Sequence, residues 1–222
     1  MGARADRSAI RVTQSDRQRL AVLVHEVRSP VAALRAIAET CKGGRLETGE
    51  RGPLVNLAIA ACLGIERLIR DVTVSSVRLE PIDIGRLVEE VVSAAVLGNA
   101  NVRAHVDAGL PSLRADPVRL RQALDNLVSN ALRHAGSSTG VLMHARQAGA
   151  SVLISVVDRG PGIPVGQQER IFEAGVRLKS GRPGSGLGLS VSRAIAEAHG
   201  GTLTVESIPS EGAAFTIALP VS

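Results

Sequence analysis

The chain has 222 residues, 45% of them hydrophobic and 21% charged, enough for one large or two small soluble domains with cores of their own. Two Phe, no Trp and no Tyr mean that those cores are built from Leu, Val, Ile and Ala, and that the rings on which single-stranded nucleic acid stacks are missing. The formal net charge of +5 comes from arginines scattered along the chain rather than gathered into a run, which argues against direct nucleic-acid binding.

No apolar run approaches the length that spans a bilayer, and the opening MGARADRSAI is not a signal peptide, so a soluble, cytoplasmic chain or the cytoplasmic portion of a larger membrane-anchored protein is expected. Residues from about Arg7 to Ser76 read as two helices with a loop between them. The first carries apolar residues at Leu20, Val24, Val27, Val31, Leu34, Ala38 and Cys41, a heptad seam of the kind that packs helices side by side. The stretch KGGRLETGERGP interrupts it, and a second helix resumes with Leu54, Ala58, Ala61, Ile65, Leu68 and Val72. A hairpin of this size leaves an apolar stripe in water, so pairing of two copies into a four-helix bundle is the expected solution. Cys41 and Cys62 lie in these stretches without metal-ligand spacing and read as reduced core residues.

At Arg78–Ile84 the rhythm changes. Pro81 marks a linker and Asp83 the N-cap of a short helix from Ile84 to Val96. Strand-like runs follow at 102–106, 140–147, 152–158, 203–206 and 214–219, with helical patterns at Pro117–His134 and Leu187–His199. The second and third strands are split by AGA, as in a hairpin. The predicted fold is therefore α+β: an antiparallel helical hairpin with its linker over residues 1–80, then a sandwich of helices on one sheet over 81–222.

Four constellations carry chemistry. In VHEVRSP, His25 sits beside the seam residue Val24, with Glu26 next to it and Ser29 and Pro30 one turn on. An imidazole in water is a competent nucleophile when a carboxylate orients its ring proton, and a proline loosens its turn of helix. A lone helical His–Glu pair is more often simply solvated. In QALDNLVSNALRHA, Asn126 and Asn130 share a helix face opposite Leu124, Leu127, Val128 and Leu132. Such amides either join helices by hydrogen bonds or offer oxygens to a hard cation, and Arg133 and His134 could add contacts to phosphate. In VVDRGPGIP a β-branched strand ends at Asp158, where a buried carboxylate could accept from an exocyclic amine, while Gly160 and Gly162 admit close backbone approach. In GSGLGLSVSRAIAEAHGG, Gly184, Gly186 and Gly188 run straight into a helix, an arrangement that presents amides to phosphate without being a dinucleotide fingerprint or a Walker loop. The polar run RLKSGRP before it reads as a lid.

Each signal alone is modest, but their order and spacing together resemble a sensor histidine kinase of two-component systems, whose ATPase half is of the GHKL type shared with gyrase and Hsp90. The resemblance runs from about Ser15 to Leu219. It matches His25–Pro30 to the H box, Asn126–Ala135 to the N box, Asp158–Gly162 to the G1 box, Arg170–Arg177 with Phe172 to the F box and Gly184–Leu189 to the G2 box. It implies an ATP-dependent autokinase that phosphorylates His25 with Glu26 as the base and passes the phosphoryl group to an aspartate on the receiver domain of a response regulator. It implies that Asn130 holds Mg²⁺ with support from Asn126, that Asp158 reads the adenine amine between Gly160 and Gly162, and that Arg177 and Lys179 approach the γ-phosphate. Gly184, Gly186, Leu187, Gly188 and Leu189 would then fold over the triphosphate.

The chain departs from the family pattern at His134, where an aromatic is common, and at Arg133, where a lysine is common. Adenine would then be gripped largely by aliphatic side chains. Ser29 stands where relatives use Thr or Asn to position water for dephosphorylating the regulator, and its hydroxyl keeps that reaction open. The competing reading is a non-kinase ATP-binding regulatory module of the same superfamily, which would have no need of the hairpin bearing His25.

Overall fold

The computed structural model describes residues 14–42, 77–135, 140–176 and 186–221, with a few more between 53 and 65. The chain divides into two compact units, Met1–Val72 and Thr73–Ser222.

In the first unit, α1 runs from Gln14 to Lys42 with Pro30 inside it. The loop expected at 43–52 lies outside the described residues, and helical backbone reappears at 53–55, 57–58, 61–62 and 64–65. The expected seam is visible on α1 as an apolar stripe: Val24 is 58% exposed and Val31 47%, while Leu34 is half-buried. The exposed i,i+4 pair Arg35–Glu39 at 3.0 Å follows Val31 along the flank of this stripe and adds little. The cysteines depart from expectation: Cys41 and Cys62 are both exposed, not core residues. Cys41 stands one residue from the end of α1.

The second unit begins with β1 (Glu80–Ile82), α2 (Ile84–Leu97), β2 (Val102–Val106), β3 (Leu113–Ala115) and α3 (Pro117–His134). It continues with the hairpin β4 (Val141–Ala148) and β5 (Ser151–Asp158), two 3-10 turns at Val165–Gln167 and Arg170–Phe172, α4 (Gly188–Ala198), β6 (Thr202–Ile208) and β7 (Gly212–Pro220). The five long strands form one mixed sheet in the order β2-β4-β5-β7-β6. Only the edge pair β2–β4 is parallel. The predicted AGA break tightens to a two-residue turn, since Ala148 still pairs with Ser151 and Gly149 takes φ +58°, as the first position of a type II′ turn requires.

The core lies on one face of this sheet. Strict alternation along β4 and β5 buries Val141, Met143 and Ala145, then Val152, Ile154 and Val156, against Leu120, Leu124 and Leu127 of α3 and Val191 and Ile195 of α4. Each such Leu, Ile or Val contributes roughly 1.5–3 kcal/mol by leaving water. Phe215 of β7 is 1% exposed and fills the centre of the same face.

Two features escaped the sequence reading. The residues around Pro81, expected as linker, form β1, which pairs antiparallel with β3 so that Pro81 lies opposite Arg114. Strands of three residues are too short to show a period. The second is a polar joint between α3 and α4. Asp116 caps α3, its Oδ1 accepting from the Arg119 N–H at 3.0 Å and its Oδ2 from the Arg78 N–H at 2.9 Å. The Asp116 N–H donates to His199 Nε2 at 2.9 Å, which leaves His199 Nδ1 to donate to the Ile195 carbonyl at 2.7 Å. The start of α3 is thereby tied to the end of α4.

Burial pushes the Asp116 carboxyl up, but the N–H groups of Arg78, Arg119 and Val118 pull it further down, and its pKa lies below the usual carboxylate value. A depressed folded value means stability that is present above the ordinary carboxylate pKa and lost as pH falls through the lowered one. Asp116→Ala is expected to cost about 1–2 kcal/mol in urea unfolding at neutral pH, the range of a lost N-cap. The gap to wild type should shrink below about pH 4; an undiminished gap would assign the loss to packing rather than charge.

Candidate functional site

The period-two burial of β5 continues to its last residue, so Asp158 points to the same side as Val152, Ile154 and Val156 and is 4% exposed. A carboxylate at the end of a buried strand needs donors. The Gly160 N–H supplies one at 2.8 Å, and the Ala213 backbone of the neighbouring strand supplies another. Burial nonetheless dominates and raises the Asp158 pKa, against the opposing pull of these two donors and of His134.

The turn after Asp158 is fixed on both sides. A Cβ on Gly160 would lie 2.9 Å from the His134 carbonyl oxygen, so the end of α3 meets this turn directly. Gly162 takes φ +69°, and any side chain there would run into the Ile208 backbone, so only glycine fits. The Ser210 N–H donates to the Pro161 carbonyl at 2.8 Å, and Ile163 donates to the Ser207 hydroxyl at 2.8 Å. Gln168 completes the frame by donating to the carbonyls of Ile163 at 3.0 Å and Ser207 at 2.9 Å.

On α3, Asn126 and Asn130 are half-buried on one face, while Leu124, Leu127 and Val128 are buried on the other. The two amides differ. Asn126 Nδ2 donates a long hydrogen bond of 3.5 Å to the Gly188 carbonyl, the helix-joining role open to such a residue. The amide of Asn130 meets no hydrogen-bond partner among the described residues. A half-buried amide left in that state is suited to a ligand or a cation outside the chain. Arg133 leans on Ser129 at 3.5 Å, and both Arg133 and His134 are half-buried at the end of the helix.

The glycine loop arrives from the other side. Gly186 takes φ +70°, and a Cβ there would lie 2.9 Å from the Gly175 carbonyl carbon; its own carbonyl accepts from the Gly175 N–H at 3.1 Å. Leu187 is fully buried, Leu189 half-buried, and Gly188 opens α4 where a Cβ would lie 3.8 Å from the Asn126 side chain. The Ser192 hydroxyl, one turn later, donates to the carbonyls of Gly188 at 3.0 Å and Ala123 at 3.2 Å. The start of α4 is thus seated against the amide face of α3.

The chain's two phenylalanines anchor this loop. The Phe172 ring meets Phe215 edge-on at 6.4 Å, and the Arg193 guanidinium covers Phe172 at 5.1 Å. Arg193 also pairs with Glu169 at 3.5 Å and Glu197 at 3.3 Å. The supporting residues Gln168, Ser192, Arg193 and Ser207 were not singled out from the sequence, where a serine or glutamine in a polar stretch carries no signal of its fold partner.

The expected site residues therefore separate into three groups. Asn126, Asn130, Arg133, His134, Asp158, Gly160, Gly162, Gly186, Leu187, Gly188 and Leu189 all fall on the connected frame of α3, the β5 turn and the α4 start. Arg177, Lys179 and Gly184 lie outside the described residues. His25 and Glu26 belong to the helical backbone of α1, but their side chains lie outside the described residues, while Ser29 is exposed and Pro30 half-buried.

Residues 115–222 match the family of histidine kinase-, DNA gyrase B-, and HSP90-like ATPases. The chain is 34% identical over 228 residues to the signal transduction histidine-protein kinase AfsQ2 of Streptomyces coelicolor, spanning 93% of this chain and 42% of that protein. It is 32% identical over 208 residues to the sensor histidine kinase ZraS of Escherichia coli O157:H7, spanning 90% of this chain and 45% of that protein. Among solved structures, full-length ShkA in complex with AMPPNP superposes with a TM-score of 0.70 at 29% identity, covering 90% of this chain and 45% of that one. The chain spans less than half the length of each of these relatives. No described helix is long and apolar enough to cross a membrane. The chain belongs to the sensor histidine kinases, and its residues 115–222 are the histidine kinase-, gyrase- and HSP90-like ATPase domain.

Proposed function

We propose that the chain is an ATP-dependent histidine autokinase that acts as a homodimer in the cytoplasm, with a dimerising helical hairpin over residues 1–80 and a catalytic domain over 81–222. The observation that carries the reading is the frame joining Asp158, the Asn126–Asn130 face and the Gly186–Gly188 loop. In it, the adenine amine donates to the Asp158 carboxylate, and the triphosphate lies between the α3 amides and the start of α4. The family relationship and the AMPPNP bound by ShkA support a nucleotide there.

Asn130, with Asn126 beside it, fits Mg²⁺, since amide and phosphate oxygens together suit a hard cation. When bound, the ion neutralises charge across the phosphates. Arg177 and Lys179 add positive charge from the lid, and Arg133 and His134 border the pocket. A nitrogen of the His25 imidazole attacks the γ-phosphorus; the N–P bond forms, the bond from phosphorus to the bridging oxygen of ADP breaks, and Glu26 takes the ring proton. The proline at 30 weakens the helix just beyond His25, which gives the histidine's turn room to reach a donor. A response regulator then receives the phosphoryl group on an aspartate, and Ser29 orients water for its later removal. The exposed stripe of Val24 and Val31 supports pairing of two α1 helices.

With radiolabelled ATP and Mg²⁺, the wild-type chain should acquire an acid-labile, base-stable label that vanishes in His25→Gln. Absence of label on the wild type, with nucleotide binding retained, would favour a non-kinase ATP-binding module. Asn130→Asp should abolish labelling without dissociating the dimer; normal labelling there would remove Asn130 from the metal site.

Asp158→Asn should weaken nucleotide binding about 10- to 150-fold, the equivalent of the roughly 1.5–3 kcal/mol of a hydrogen bond to a charged group. Because burial raises the Asp158 pKa, its charge is lost on acidification at a higher pH than for an ordinary aspartate. Nucleotide affinity should fall through that window in the wild type and stay flat in Asp158→Asn. The same raised value means that the ionised carboxylate opposes folding as pH rises through it, so the unliganded Asp158→Asn protein should melt no lower than wild type at neutral pH.

A further inference from the structure

The face of the sheet turned away from α3 and α4 carries, among the described residues, a second cluster of chemistry that the proposed nucleotide frame does not use. Strands β2 and β4 pair in parallel with His105 opposite His144, and Asp107 follows two residues after His105, on the same side of the chain. On β4 the alternation buries Met143 and Ala145 against the helices, so His144 projects to the opposite face from the one into which Asp158 points.

The three side chains converge on one oxygen. His144 Nε2 lies 3.0 Å from Asp107 Oδ1, and His105 Nε2 lies 3.3 Å from the same atom. The two rings are 4.9 Å apart at 47°. One ligand atom from each residue lies within 4.8 Å of the other two. Zinc bonds of about 2.0–2.1 Å to nitrogen and oxygen in a tetrahedron place neighbouring ligand atoms roughly 3.3–3.4 Å apart. The two His–Asp separations already sit near that value, and small rotations of partly exposed side chains close the third.

The geometry points to a zinc-class divalent cation held by His105, Asp107 and His144. Two imidazoles and one carboxylate form a mixed nitrogen and oxygen set, which favours Zn²⁺ over Mg²⁺ or Ca²⁺. Three protein ligands leave a fourth position for water or a carboxylate from outside. Access is open, since the side chains of His105, Asp107 and His144 are 67%, 44% and 30% exposed. The ligands stand on paired strands, so little order is lost on binding. The cation acts as a clip: β2 is an edge strand held by the sheet's only parallel ladder, the weaker kind of pairing per residue, and the ion joins it to β4 through side chains. Arg146, on the same face two residues after His144, is the nearby charge that opposes the ion.

The test is calorimetric titration of the metal-stripped full chain with zinc chloride, in parallel with thermal melts. The expected result is one equivalent bound at this site, a rise in Tm with zinc, and a loss of affinity of at least about tenfold in both His105→Ala and Asp107→Asn. Binding should persist when Cys41 and Cys62 are replaced by serine, which separates this cluster from the exposed thiols. Both ligand positions are solvent-accessible, so circular dichroism should show their variants folded, and His144→Gln provides a third variant if either is not. Zinc that binds the His105→Ala and Asp107→Asn proteins as tightly as wild type, zinc that follows the cysteines, or a wild type that binds none would each overturn the proposal.

Discussion

The organisation of the ATPase domain turns on one buried carboxylate. Asp158 is in register with Val152, Ile154 and Val156, so the alternation that buries the apolar face of β5 also carries a charge into the interior at the strand's end. That placement is unfavourable by itself, and burial raises the pKa accordingly. It is tolerated because the Gly160 and Ala213 N–H groups meet the carboxylate. Those donors in turn demand a glycine turn close to His134 and a neighbouring strand in fixed register.

The helices are arranged to serve the same place. Helix α3 turns its leucines to the sheet and its asparagines toward the start of α4, and Asn126 meets Gly188 there. The start of α3 and the end of α4 are joined through Asp116 and His199, so α4 is held to α3 at both of its own ends. With two aromatic residues in the chain, Phe172 and Phe215 are spent on one contact, the one that pins the turn leading into the glycine loop. The β6–β7 hairpin closes the frame from below through Ser207 and Gln168.

Much of this was legible in advance because it rests on periodicity and on glycine. The helices at 84–97, 117–134 and 188–198, the five strands of the main sheet and the hairpin turn at Gly149 follow from apolar spacing and turn chemistry. The glycine turn and loop that border α3 were legible through residues such as Gly162 and Gly186, where the structure leaves no room for a side chain. What escaped has a common physical character. The β1–β3 ribbon is too short to display a period. The Asp116–His199 joint and the Ser207–Gln168 brace depend on partners far apart in sequence. Cys41 and Cys62 were read from the apolar rhythm of their helices, which says that a face is apolar but not which of its residues are covered. The His105–Asp107–His144 cluster was invisible for the same reason as the joint, since the strand register that brings His105 beside His144 is tertiary.

We propose that nucleotide binds on the frame formed by Asp158, α3 and the α4 start. Amide chemical shifts of the isotope-labelled full chain, followed while a non-hydrolysable ATP analogue and Mg²⁺ are added, test it most directly. Asn126, Asn130, Gly160, Gly162, Gly186 and Gly188 should shift together and saturably, with His105 and His144 on the opposite face unmoved. Saturable shifts that leave Gly160 and Asn130 in place, or none at all, would contradict it.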